Sequence, residues 1–182
     1  MHCKLFGPCT LLLAVLIGCK PAATPPKPDT DTDSPEQAAV RQEFNRLKAA
    51  IAALKEGKDT ADSIWDLLGT DSQADAEREA KVVKAAYAKL ADKDKADLEK
   101  KMALSAKELA DMNGKYYVKS QRFQSKHQKI PDSKVGKITI TGETATLEYI
   151  EPDNSTVTAK LVRQKAVSDR WKFNLDIPKS LE

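Results

Sequence analysis

The sequence predicts an α+β domain in which N-terminal helices pack on a C-terminal curved antiparallel sheet of about four strands. Three observations carry this. Apolar residues recur at three- and four-residue intervals up to about residue 127, and at every second residue after Pro131; short polar turns then separate the alternating runs. Such a sheet has one apolar face, and the amphipathic helices upstream are what the chain has to cover it.

The first helix opens at Ser34-Pro35-Glu36-Gln37. Serine caps, proline suits the first helical position, and glutamine three residues after the serine completes a capping box. Val40, Phe44, Leu47, Ile51 and Leu54 then form one apolar face, which Gly57 closes. Ile64, Trp65, Leu67 and Leu68 make a short helix ahead of Gly69. A third helix is expected from about Ser72, with Ala76, Ala80, Val83, Tyr87 and Leu90 on its buried side. Asp94 or a neighbour opens another, through Leu98 and Met102. Ser105-Ala106-Lys107-Glu108 is a second capping box, leading to Leu109 and Met112 and ending at Asn113-Gly114. The helical reading continues over 115–127.

In the sheet, Ile138 and Ile140 alternate with polar neighbours, and Gly142-Glu143 turn the chain. Ala145, Leu147 and Tyr149 form the next face, followed by a turn at Pro152-Asp153-Asn154-Ser155. Val157, Ala159 and Leu161 share the third strand's face. Ser168-Asp169 turn again, and Trp171, Phe173 and Leu175 close the meander.

Ahead of this domain lies Leu11-Leu12-Leu13-Ala14-Val15-Leu16-Ile17-Gly18-Cys19. The apolar run is too short to cross a bilayer, which needs about 20 residues, and has the length of a signal-peptide core. The pattern Leu16-Ile17-Gly18-Cys19 resembles the lipobox of bacterial lipoproteins. That resemblance implies diacylglyceryl on the Cys19 thiol, cleavage just before it, and acylation (palmitate or a similar chain) of the new amine. The organisation expected is a signal peptide at 1–18, a lipidated cysteine and Pro/Asp-rich tether at 19–34, and one domain at 35–182, with helices over 35–127 and sheet over 135–177. Residues 20–34 hold four prolines and no large apolar side chain, the composition of an extended spacer. Lys20, by resemblance to the enteric sorting rule, points to the periplasmic face of the outer membrane.

Composition narrows the functions. The three cysteines are Cys3, Cys9 and Cys19, so cleavage leaves one, and lipidation consumes it. No disulfide or cysteine nucleophile then remains. The formal charge of +3 falls to +2 when Lys4 leaves with the signal, too little to suggest nucleic acid. Basic and acidic residues number 14 and 16 over 35–114, but 13 and 8 over 115–182. The cationic half is the C-terminal one.

The run Ile138-Thr139-Ile140-Thr141-Gly142-Glu143-Thr144-Ala145-Thr146-Leu147-Glu148-Tyr149 with the later Trp171-Lys172-Phe173 resembles the nuclear transport factor 2-like, cystatin-like superfamily. That likeness implies a sheet curved into a cone that holds a small apolar ligand, runs simple proton transfer, or is packed solid. Trp65, Tyr87, Phe123, Tyr149, Trp171 and Phe173 are the candidates to line it; most of them fall on the core faces above, so ordinary packing is the plainer account. Tyr149 is the one polar tip among the inward strand positions, which counts against an enzyme.

His127, in Ser125-Lys126-His127-Gln128-Lys129, reads as a solvent-exposed side chain, and no paired Cys/His spacing implies a transition metal or any cofactor. Lys115, Lys119, Arg122 and Lys126 recur at helical spacing, a candidate face for an anionic envelope component; a solvated helix surface is the plainer account. The reading is a lipid-anchored envelope protein with a non-enzymatic binding or assembly role. Its alternative is a small-ligand carrier, or an isomerase- or hydratase-type enzyme, using the cone.

Overall fold

The computed structural model describes residues 33–165 and 169–180. The signal peptide and tether expected over 1–34 lie outside them up to residue 32, Cys19 included, as does Ser168 of the last expected turn. Helices precede a four-stranded antiparallel sheet, the α+β arrangement expected.

Helix α1 (Pro35–Lys55) begins as the capping box requires: Gln37 N–H donates to Ser34 Oγ at 3.2 Å, and Ser34 N–H to Gln37 Oε1 at 2.8 Å. Its end is a Schellman motif, in which the Gly57 and Lys58 amides each donate at 3.0 Å, to Leu54 and Ala53 carbonyls. Gly57 sits at φ +80°, a conformation that side-chain-bearing residues adopt at a cost. Val40, Phe44, Leu47, Ile51 and Leu54 are all buried.

Helices α2 (Ala61–Leu67) and α3 (Thr70–Tyr87) meet at Gly69. The third helix starts earlier than Ser72 because Gly69 takes the N-cap position. Ser72 turns inward instead and donates to the Leu175 carbonyl at 2.8 Å. Leu90 falls beyond the end of α3. Helix α4 (Asp92–Met102) is followed by α5 (Ala106–Ala110), whose capping box between Ser105 and Glu108 is formed as expected. Helix α5 stops at Ala110 rather than at Asn113-Gly114, since the Asn113 side chain caps α6 (Gly114–Lys119), accepting from the Tyr116 amide at 3.1 Å.

Residues 115–127 are not one helix. Ser120, at ψ 153°, ends α6 and caps α7 (Gln121–His127); its hydroxyl donates to the Tyr117 carbonyl at 2.6 Å and faces the Phe123 amide at 3.5 Å. A serine hydroxyl offers the backbone these alternatives to a continuous ladder, and spacing alone does not register it.

The strands are β1 (Lys134–Thr141), β2 (Thr144–Ile150), β3 (Thr156–Gln164) and β4 (Arg170–Asn174), in that spatial order. Gly142 at φ +59° forms the first turn with Glu143, and Asn154 at φ +66° sits in the second. Across the inner face, Ile140 is opposite Ala145, Ala145 opposite Leu161, and Leu161 opposite Phe173. The outer face presents Thr139 beside Thr146 and Thr146 beside Lys160. A register shift between Val135 and Ile138 interrupts β1 around Gly136, where an added Cβ would stand 3.0 Å from the Glu148 carbonyl oxygen.

Helix α1 lies against the inner face. The Phe44 ring sits 5.2 Å from Tyr149 and 6.0 Å from Phe173, centroid to centroid, and Phe44 and Phe173 are wholly buried. Helices α3 and α6 pack on one another, and α2 bridges α6 to α1. At the far side of β4, Leu68 forms a parallel bridge to Phe173, and the Gly69 amide donates to the Phe173 carbonyl at 2.8 Å. Lys172 is buried there, and its ammonium donates to the Asp66 carbonyl in the last turn of α2, where a cation suits the helix dipole. Among the described residues, no helix is long and apolar enough to cross a membrane.

Candidate functional site

The end of α7 and the ends of β2, β3 and β4 converge on a cleft of about 370 Å³. Phe123 and His127 stand one turn apart on α7, and both are buried, their rings 4.5 Å apart. The sequence reading of His127 as solvent-exposed is therefore corrected: it is 7% exposed. The signal was present, since a spacing of four from Phe123 puts both on one helix face.

His127 Nε2 lies 3.2 Å from the Asp176 carbonyl oxygen, and a carbonyl only accepts, so Nε2 carries the proton and Nδ1 the lone pair. Burial, opposed by that hydrogen bond, pushes the imidazole down to about 4, with Lys126 adding to the fall; the ring is neutral at pH 7. Tyr149, 5% exposed, also lines the cleft. Burial raises its phenol above the ordinary value, helped by the Glu151 charge, so it remains protonated. Its hydroxyl makes no hydrogen bond to another described residue, and neither does His127 Nδ1; neither atom is sealed away, so both are open to a visitor. Val157, Ala159 and Leu175 supply apolar wall.

The rim is charged but balanced. Lys126 pairs with Asp176 at 2.8 Å, and Lys129 with Glu151 at 2.9 Å and Asp153 at 2.6 Å. Among the described residues, no group of three or more His, Cys, Asp and Glu side chains is arranged to hold a metal ion.

The break at Ser120 separates the four cations into two pairs on different helices, and three of them face carboxylates. Lys115 meets Asp62 at 2.6 Å, Lys119 meets Glu108 at 2.7 Å and Asp59 at 3.5 Å, and Lys126 meets Asp176. Arg122 donates to the Lys179 carbonyl at 2.7 Å. Helical spacing registered the cations, while their acidic partners sit on other elements: Asp59 ahead of α2, Asp62 in α2, Glu108 in α5 and Asp176 after β4.

The six aromatic candidates do not share one cavity. Tyr149 and Phe173 meet through Phe44, which the sequence placed on a helix face without linking it to them. Trp171 lies toward the start of α1, with the Arg163 guanidinium 6.0 Å from its ring. Phe123 backs His127. Trp65 rests on Gly114 in the helical layer, and Tyr87 donates from its hydroxyl to Glu99 at 2.8 Å.

Comparison with family models, curated proteins and solved structures found no match. The geometry must speak for itself.

Proposed function

We propose that this chain is a lipid-anchored bacterial envelope protein, tethered through acyl groups on Cys19, whose domain has a binding or assembly role and not an enzymatic one. The tether rests on the lipobox-like Leu16-Ile17-Gly18-Cys19, and the likeness to the nuclear transport factor 2-like superfamily belongs to the same proposal. The division at 1–18, 19–34 and 35–182, and the outer membrane's periplasmic face, follow from it.

The observation that carries the non-enzymatic part is the filled inner face: Phe44, Leu147, Leu161 and Phe173 occupy the space a hollow cone would offer a substrate. His127 also argues this way, being neutral across the range where a general acid or base needs to titrate. An anionic envelope component remains the partner proposed for Lys115, Lys119, Arg122 and Lys126. It would have to compete with the carboxylates already beside three of them, so the binding role is assigned first to the cleft.

Intact-mass analysis of the protein purified from a lipoprotein-exporting bacterium tests the tether. Cleavage before Cys19 with added acyl mass is expected, and Cys19→Ser should abolish both processing and membrane association. A bare thiol at Cys19, or processing at another bond, overturns the reading.

A further inference from the structure

We infer that the cleft beside His127 and Tyr149 is a binding site for a neutral small molecule with an apolar body and a head group that both donates and accepts hydrogen bonds, an alcohol or an amide. This rests on the reading of the domain as a binding module and names the chemistry of what it binds.

Two accessible polar atoms without a described protein partner, on largely buried side chains that line the cleft, carry the argument. Small-molecule sites set a few convergent polar groups against an apolar wall, and these two groups meet that pattern. Tyr149 is 5% exposed and His127 7%, yet the phenol hydroxyl and Nδ1 have no described partner, and both residues line the same cleft. They are also complementary. The phenol, held protonated by burial, donates; Nδ1 accepts, because the Asp176 carbonyl fixes the ring proton on Nε2. A head group answering both must itself accept and donate.

The rest of the cleft sets the remainder of the ligand. Val157, Ala159 and Leu175 give an apolar wall, and a volume of about 370 Å³ falls within the range of small-molecule pockets. The rim argues for neutrality. Each ammonium there already faces a carboxylate, Lys126 with Asp176 and Lys129 with Glu151 and Asp153, so a charged head would have to part an existing pair.

The test is NMR titration of the full chain, following the ring signals of His127 and Tyr149. The probes are benzamide and benzyl alcohol, with benzoate and benzylammonium as charged counterparts. The expected result is a saturable shift of both rings by at least one neutral probe, the tighter of the two identifying the head group, and weaker binding of both ions. Tyr149→Phe keeps the ring against Phe44 and removes only the hydroxyl. His127→Gln can still donate to the Asp176 carbonyl and removes the ring acceptor. Each should weaken the neutral probe roughly fivefold or more, the effect of one hydrogen bond. If His127→Gln fails to fold, Tyr149→Phe alone decides.

The proposal is overturned if neither neutral probe shifts the rings at roughly 10 mM, above a fragment's expected millimolar Kd. It is equally overturned if the ions bind as well, or if the Tyr149→Phe protein binds like the parent. None of these outcomes touches the mass of the processed N-terminus, so failure here is distinct from failure of the tether.

Discussion

Replacing Gly114 with alanine should destabilise the domain through a single neighbour, the Trp65 ring. A Cβ at position 114 would stand 2.5 Å and 2.6 Å from two ring carbons of Trp65, and 2.9 Å from Glu77 Oε1. The carboxylate is the end of a flexible side chain and swings away at little cost, whereas the indole must move bodily. Forcing a methyl into a packed site costs typically 1–3 kcal/mol. Gly114 has an ordinary φ, so alanine also stiffens the unfolded chain, returning about 0.4–1 kcal/mol. The net expectation is a loss of about 1–2 kcal/mol, or a fall in Tm of roughly 2–8 °C for a domain of this size. Urea unfolding followed by circular dichroism measures it. In a Trp65→Leu background the obstacle is gone, and Gly114→Ala should become neutral or mildly stabilising, a coupling of at least about 1 kcal/mol. Equal losses in both backgrounds, or no loss in either, would refute the argument.

Two further predictions rest on single residues. Ala103 ends α4 in the left-handed region at φ 51°, where the Leu104 amide donates to the Glu99 carbonyl at 3.2 Å. An L side chain there costs about 1–2 kcal/mol, so Ala103→Gly should raise the urea midpoint by roughly 0.5–1 kcal/mol equivalent once glycine's added unfolded-state freedom is deducted; a lower midpoint would contradict the cap geometry. His127 refuses a proton in the folded state until about pH 4, under burial and the nearby Lys126 ammonium, with the Asp176 carboxylate and carbonyl opposing. The unfolded chain binds that proton from about pH 6.5 downward, so folded stability falls as the pH drops through this window, by roughly 2–3 kcal/mol between pH 7 and 4.5. Urea midpoints at those two pH values should differ less by that amount in His127→Gln, and parallel losses would dismiss the claim.

Much of the fold was legible because its signals are local. The capping boxes at Ser34 and Ser105 and the stop at Gly57 are spelled in consecutive residues, and each forms as read. The two-residue period of Ala145, Leu147 and Tyr149 marks the strand face that meets α1. The errors fell where a short polar side chain chooses between competing uses: Ser120 broke a helix, Asn113 began one, and Ser72 left its cap to hold the chain after β4. The cleft was less legible still. Tyr149 stood out as a polar tip on an inward face, but its neighbours come from segments around 126, 158 and 175, which only the fold brings together. The cations were counted correctly, and their carboxylates were invisible because pairing across elements leaves no trace in spacing.

The stretch at Leu68 and Gly69 has a consequence wherever copies of the domain are crowded. By docking along the last strand it occupies the rim where a stray polypeptide would otherwise add itself to the sheet. The opposite rim is guarded differently, by the irregularity beside Gly136, by Lys134 and Lys137, and by the Gln37 amide, which donates to the Ile138 carbonyl at 3.0 Å. Copies of this domain brought together at high density would therefore jostle without growing into fibres.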